Sequence, residues 1–341
     1  MRQKLPQGSL TLLICASLVL GVTLGCKRFA ELAKQGRDDE PTNDYPITDP
    51  DGGGTDNSLI KKSNFYITEC FNKYSNRVVD SYNRYSSWVK DVDAGPTGKE
   101  QIIYGLYDLN GDGTDCANAV ASAKLLDPDL PEVEDAADQY VVALKEVALQ
   151  IKGIYKYYEQ EDYKDDNFAK GKAAHPALIA AFKDFKNVND DFSSAVDRLE
   201  DQVAEQELAK LKGESGKEFD YFVVDSGIKA KKIKTLLKTK GFEEITADEL
   251  TPLIEDFEKT IESLRAAGKS RASTSDLYAK SCEDFTKASK EMMRRIRDGR
   301  KFSDTERRQI AMGAGWMVEG SPDNVIKAYN DMIRSRSFTR F

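Results

Sequence analysis

Three groups of side chains in this sequence could carry chemistry. The run Asp108-Leu109-Asn110-Gly111-Asp112-Gly113 sets oxygen ligands at alternate positions. It matches positions 1, 3, 5 and 6 of a calcium loop, in which the glycine permits a sharp turn. Position 12, where a bidentate Glu belongs, is Ala119, so the shell is incomplete and any calcium held by Asp108, Asn110 and Asp112 is weak. The competing reading is an Asn-Gly-Asp-Gly turn ahead of a helix over 115–127. The second group is a carboxylate cluster, Glu159, Glu161, Asp162, Asp165 and Asp166, set around Tyr157, Tyr158 and Tyr163. Tyr158, Glu161, Asp162, Tyr163 and Asp165 are binding candidates for a cation or a sugar, and two of the carboxylates could act as the acid/base pair of a glycoside hydrolase. Against this stands a solvated connection at a helix end. The third group is Gly313-Ala314-Gly315-Trp316-Met317-Val318-Glu319-Gly320. It lacks the preceding strand of a dinucleotide loop. The expectation is a tight helix–helix connection with Trp316 plugged into the core, the alternative being the wall of a ligand pocket.

Other catalytic sets are missing from the sequence. The chain has one histidine, His175, next to Pro176, which removes most His-based triads and metal sites. A capping or surface role is expected for it. No Walker loop, Gly-x-Ser-x-Gly elbow or His-Glu-x-x-His pattern occurs, and no catalytic residue is assigned.

The elements that must position these groups read as helices. Ile67, Cys70, Phe71, Tyr74, Val78, Tyr82, Tyr85 and Val89 recur at three- and four-residue steps, a stripe that ends before Gly95-Pro96. A second stripe runs from Pro131 to about Gln160, and a third from Asn167 to about Lys210, with Pro176 inside it as a kink or a true start. Shorter helices are predicted at 217–240, 247–267 and 275–299. Ser303-x-x-Glu306 is a capping box, and Ser321 with Pro322 forms an N-cap and N1 pair. No segment alternates with period two for long. The fold class is all-α: an elongated bundle of long antiparallel helices.

Composition agrees with that class and excludes others. Of 341 residues 32% are charged and 40% hydrophobic, which excludes a multi-span membrane protein, a collagen or a disulfide mini-scaffold. The net charge of −8 argues against nucleic acid as a partner. Residues 27–211 carry 22 Lys and Arg against 36 Asp and Glu, whereas residues 212–341 carry 26 against 22. That asymmetry can orient the protein or let its halves attract each other. The Lys229–Lys240 segment holds six lysines around Ile233, Leu236 and Leu237. It reads as a surface helix whose stripe faces the core, or as a basic helix touching anionic lipid.

The N-terminus gives an address. Arg2 and Lys4 precede an apolar run from Leu10 to Leu20, too short to span a bilayer comfortably. Thr23-Leu24-Gly25-Cys26 resembles a bacterial lipobox, with Thr23 departing from the usual aliphatic. Residues 1–26 are therefore expected to be a lipoprotein signal peptide and Cys26 the lipidated, palmitate-bearing residue. Lys27 after the cysteine favours the outer membrane, facing the periplasm. Residues 27–58 follow as a flexible acidic tether, too poor in apolar side chains to fold. About 28 such residues span on the order of 30 Å. The helical domain is expected over 59–341.

Several motifs along that domain carry a family resemblance. Tyr66-Ile67-Thr68-Glu69-Cys70-Phe71-Asn72, Ser81-Tyr82-Asn83-Arg84-Tyr85, Trp88-Val89 and Tyr104-Gly105-Leu106-Tyr107 come first. Tyr157 to Asp166, Gly171-Lys172, His175-Pro176, Met292-Met293-Arg294-Arg295 and Gly313 to Pro322 follow. Together these resemble the YiiG-like family of bacterial lipoproteins, a domain-of-unknown-function family, over residues 59–335. The resemblance implies a helical domain in the cell envelope and brings no catalytic residue. It also bears on the cysteines. Beyond Cys15 and Cys26 remain Cys70, Cys116 and Cys282. Cys70 and Cys116 each lie in a stretch resembling the family's and bracket the loop between the first two helical segments, so they form the expected disulfide pair. Three buried thiols are the alternative. The functional expectation is a lipid-anchored, non-catalytic binding or adaptor module whose partner is an envelope protein or a small ligand; a glycan-acting hydrolase using residues 159–166 is the alternative.

Overall fold

The structure, a computed structural model, describes residues 56–269 and 273–336. The signal peptide, Cys26 and nearly all of the tether lie outside the described residues. Among the described residues there is no strand, and the all-α expectation holds.

The first helical stripe is two helices in line. Helix α1 (Asp56–Tyr66) passes through a π-turn, Ile67–Phe71, into α2 (Asn72–Trp88). Ile67, Cys70 and Phe71 are buried at the i, i+3, i+4 spacing of one helix face, so the inward stripe continues through the wider turn. Helix α3 (Thr114–Ala123) is shorter than expected. The segment beyond it turns back under Lys62, a fully buried lysine that donates to the carbonyls of Leu126 (2.9 Å) and Pro128 (2.8 Å) and pairs with Glu134. All three ammonium protons thereby find acceptors, which a buried lysine requires.

Helix α4 (Pro131–Glu159) starts with proline at its first position and acidic residues in its first turn, as helix geometry and dipole favour. It lies against α5 (Ala169–Leu211), with α1, α2 and α3 packed on the pair. Pro176 sits inside α5 as one of the two predicted alternatives. A core runs from Leu59 to Val203, rich in Tyr74, Tyr85, Tyr140, Phe182, Phe185 and Phe192.

A second core follows. Helices α6 (Glu218–Thr239), α7 (Ala247–Gly268), α8 (Ser273–Arg297) and α10 (Pro322–Arg336) close a ring in which α6 contacts α7, α7 contacts α8, α8 contacts α10 and α10 contacts α6. Phe219, Phe257, Tyr278, Phe285, Met292 and Tyr329 fill its centre. Short α9 (Asp304–Ala311) opens with the Ser303/Glu306 capping box, and Thr246 with Glu249 forms another at the start of α7. The two bundles meet along α5 and α6. There the buried Lys231 donates to the Asp197 carbonyl (3.0 Å) and pairs with Glu200 and Asp201. The sequence suggested one helical domain; the apolar side chains form two cores beside one long helix.

Candidate functional site

A groove of about 480 Å³ opens between α8 and α10, under the turn that joins α9 to α10. Asp284, Lys287 and Glu291 line it from α8, Asn324, Lys327 and Asp331 from α10, and Met317 and Glu319 from the turn. Ala288 and Ala328 face each other as small residues. Large apolar side chains are exposed on the turn and just ahead of it: Met312 is 74% exposed, Met317 55% and Trp316 37%.

The turn is held in place from several sides. The Ser321 hydroxyl donates to the Gly315 carbonyl (2.7 Å) and accepts from the Asn324 amide (3.1 Å), capping α10. Asn324 Nδ2 donates to the Trp316 carbonyl (2.7 Å). The Arg295 guanidinium, beneath the Phe302 ring at 4.4 Å, reaches the Glu319 carbonyl (2.9 Å) and Glu306 (2.7 Å). Gly315 is required because a Cβ there would meet the Asp323 carboxylate at 1.8 Å. So the small residues Gly315 and Gly320 and the Arg295 of the Met-Met-Arg-Arg run fix one conformation. Trp316 and Met317 are presented to solvent without further ordering, which lowers the entropic cost of a contact.

This corrects the expectation for Trp316. It does not plug the core; its backbone is clamped and its ring lies at the groove edge, with Lys327 Nζ 5.8 Å from the ring centroid. The physical reason is the tight Gly315–Met317 turn, whose buried member is Gly315 rather than the indole.

The carboxylate cluster is arranged differently from a binding pocket. Tyr158 and Tyr163 are 5% and 7% exposed and pack with Tyr85, Trp88 and Phe168, so they are core residues rather than ligand contacts. Glu161, Asp162 and Asp165 are exposed on the short turn between α4 and α5. Glu161 pairs with Lys164, and Glu159 accepts from the Tyr155 hydroxyl (2.9 Å). Asp166 accepts from the Tyr157 hydroxyl (2.8 Å) and from the Lys170 amide (2.9 Å) in the first turn of α5. These hydrogen bonds hold Asp166 below the usual carboxylate range, as ion pairing with Lys164 does Glu161. An acid catalyst needs the opposite shift.

His175 is neither at the surface nor a cap. It is buried in α5 between Tyr85 and the Val92 carbonyl. Gly95, Gly105 and Gly171 bring loop and helix backbone against His175, Tyr158 and Tyr157. Residues of the Ser81–Tyr85, Trp88, Tyr104–Tyr107, Tyr157–Asp166, Gly171 and His175 motifs thus converge on one aromatic knot.

The Asp108–Asp115 loop acts as a helix-opening turn. Asp112 accepts from the Thr114 amide (3.0 Å), the Asp108 carbonyl accepts from Arg77, and Asn110 takes a left-handed backbone conformation. Among the described residues no three His, Cys, Asp or Glu side chains converge as metal ligands. Cys70 and Cys116 are joined as a disulfide with Cα atoms 4.3 Å apart, and Cys282 is a buried thiol whose burial pushes its pKa up. Four of the six lysines of the 229–240 segment are engaged by the protein: Lys229 with Asp225 and Asp256, Lys231 with Glu200, Lys240 with Glu249, and Lys234 above the Tyr329 ring, while Lys232 and Lys238 are exposed. That supports the core-facing helix over a lipid-touching one.

Asp284, Lys287, Glu291, Lys327 and Asp331 look like any solvated helix face until α8 and α10 are placed side by side.

A helical protein with an acidic surface groove between two of its helices is the class that this geometry defines. Residues 57–337 match the model of a family of proteins of unknown function, DUF3829, and the chain belongs to that family. It is 31% identical over 275 residues to the uncharacterized protein YiiG of Escherichia coli K12, covering 80% of this chain and 77% of the relative. No solved structure matches.

Proposed function

We propose that this chain is a non-catalytic binding module of the bacterial envelope, lipid-anchored through Cys26 in the outer membrane and facing the periplasm. The groove between α8 and α10 is where it engages a partner protein. One observation carries the reading: Trp316 and Met317 are large, exposed and held by a clamped backbone at the mouth of a groove. A rigid aromatic anchor beside an adaptable thioether is the composition of a protein-docking hot spot. The groove carries four carboxylates, Asp284, Glu291, Glu319 and Asp331, three of them paired with Lys280, Arg294 or Lys327 at its rim, so exposed ion pairs as well as the apolar anchors face the partner. The hydrolase alternative gains no support, because the 159–166 carboxylates are engaged in turn and capping contacts and their tyrosines are core.

The test is photo-crosslinking in the native envelope. A photoreactive side chain at position 317 is expected to capture one defined partner, and one at Ile102, 60% exposed and outside both faces, is not. Trp316→Ala is expected to abolish that adduct. Labelling with a palmitate analogue, lost in Cys26→Ala, checks the anchor separately. Identical adduct patterns from positions 317 and 102 would remove the groove from the function.

A further inference from the structure

Helix α4 turns one face to solvent along its whole length, and that face is not ordinary. Val142 and Leu149 lie two turns apart on it and are 71% and 61% exposed, and Leu125, beside its N-terminal half, is 87% exposed. Gly153 continues the stripe with open space where a Cβ would stand. The charges at the two ends of the face are segregated, and between them Lys145 and Glu146 are exposed with opposite signs. Asp135 and Asp138 are exposed on the N-terminal side of Val142, whereas Lys152 and Lys156 are exposed on the C-terminal side of Leu149. Asp138 pairs at the surface with Lys124, and both side chains keep contact with water, Lys124 the less of the two. The stripe therefore reads acidic, aliphatic, aliphatic, basic.

That order is complementary to itself when reversed. We infer that α4 is a self-association face, on which a second copy of this chain packs its own α4 antiparallel about a two-fold axis lying between Lys145 and Glu146. With the axis there, Val142 of one copy sits at the level of Leu149 of the other. Asp135 and Asp138 sit at the levels of Lys156 and Lys152–Gly153. Gly153 lets the backbones approach at each end. A two-fold contact must be self-complementary, and a helix acidic at one end, basic at the other and aliphatic between meets that condition only in the antiparallel sense. The parallel arrangement would set Asp against Asp and Lys against Lys. One helix pair is at the small end of specific interfaces, near ~1,000 Å², so the dimer is weak and concentration-dependent. The inference is independent of the α8–α10 groove.

Cross-linking of the full chain in mild detergent tests it. Val142→Cys and Leu149→Cys are introduced together. Seven residues apart on one helix they are separated by about 10.5 Å, too far to bridge within a chain. Oxidation is expected to yield a covalent dimer on a non-reducing gel. In the same background, Asp135→Lys with Asp138→Lys, or Lys152→Glu with Lys156→Glu, is expected to cut dimer yield at least roughly tenfold. An equimolar mixture of the two charge-reversed proteins is expected to restore it, which also shows that both are folded. A chain that stays monomeric on oxidation, or dimerises equally in all three backgrounds, would overturn the inference.

Discussion

The Tyr85 hydroxyl lies 2.9 Å from Nδ1 of His175, and the other ring nitrogen, Nε2, lies 2.9 Å from the Val92 carbonyl. A carbonyl only accepts, so Nε2 carries the proton, Nδ1 accepts from Tyr85, and both positions are filled by a neutral ring. Burial holds the imidazole below its ordinary value of 6.5.

The sign of the resulting pH dependence follows. A base with a depressed folded-state pKa contributes stability that is present above pH 6.5 and is lost as pH falls below it. Because the chain has one histidine, its ring proton signals are unambiguous in an NMR titration. No shift change centred on pH 6.5 is expected in the native protein; a midpoint at or above 6.5 would contradict the geometry. Tyr85→Phe is expected to cost about 1 kcal/mol, measured by urea unfolding.

Gly95 packs directly on that ring. It has φ +87°, and a Cβ there would fall 2.6 Å from the His175 Cδ2 atom. Gly95→Ala combines a left-handed backbone penalty with a steric clash, and a loss of about 2–4 kcal/mol is expected. Gly213→Ala is the comparison: its φ is +80° and its surroundings are open, so only the backbone cost should appear.

The Cys70–Cys116 bridge closes a loop across a sequence separation of 46. Reducing it, or replacing both residues by Ala, is expected to lower stability by about 2–4 kcal/mol. Thermal melts with and without reductant measure this, and the double variant should be insensitive to reductant. Cys282 is protected by burial, so thiol labelling of the native oxidised protein is expected to leave it unmodified.

Acid should loosen the second bundle through its helix caps. Lys240, together with the Thr246 amide and hydroxyl, holds Glu249 down to about 2. The Ser303 amide, its hydroxyl and Arg295 do the same for Glu306. Depressed carboxylates contribute stability that is present above their ordinary range and is lost as pH falls from about 5 towards 2. Glu249→Gln with Glu306→Gln is expected to be less stable at pH 7 and to show a flatter decline with acid. Parallel acid profiles for variant and parent would remove the caps as the cause.

Much of the fold was legible because helices announce themselves locally. Ser303-x-x-Glu306 and the Ser321-Pro322 pair predicted helix starts that the structure reproduces. The periodic stripes located α4 through α8 to within a few residues. What escaped was decided by tertiary contact. The π-turn at Ile67–Phe71 has no composition of its own, since its residues would fit an ordinary helix. Tyr158 and Tyr163 sit among carboxylates in sequence, yet their rings turn inward while Glu161, Asp162 and Asp165 turn outward. His175 beside Pro176 looked like a helix end because proline usually stands there, but α5 had already begun at Ala169. The groove depends on α8 and α10 lying together, and nothing in either helix alone announces its neighbour.

The two tryptophans give the molecule an optical consequence. Trp88 is 5% exposed, donates from its indole nitrogen to the Gly105 carbonyl (2.8 Å) and stands edge-on to Tyr85 and Tyr158. Trp316 belongs to the other bundle and meets water. The emission of the native chain is therefore the sum of a shielded and a quenchable component. Each bundle carries one intrinsic lamp, so melting of the first core and occupation of the second bundle's groove can be followed separately in a single unlabelled sample.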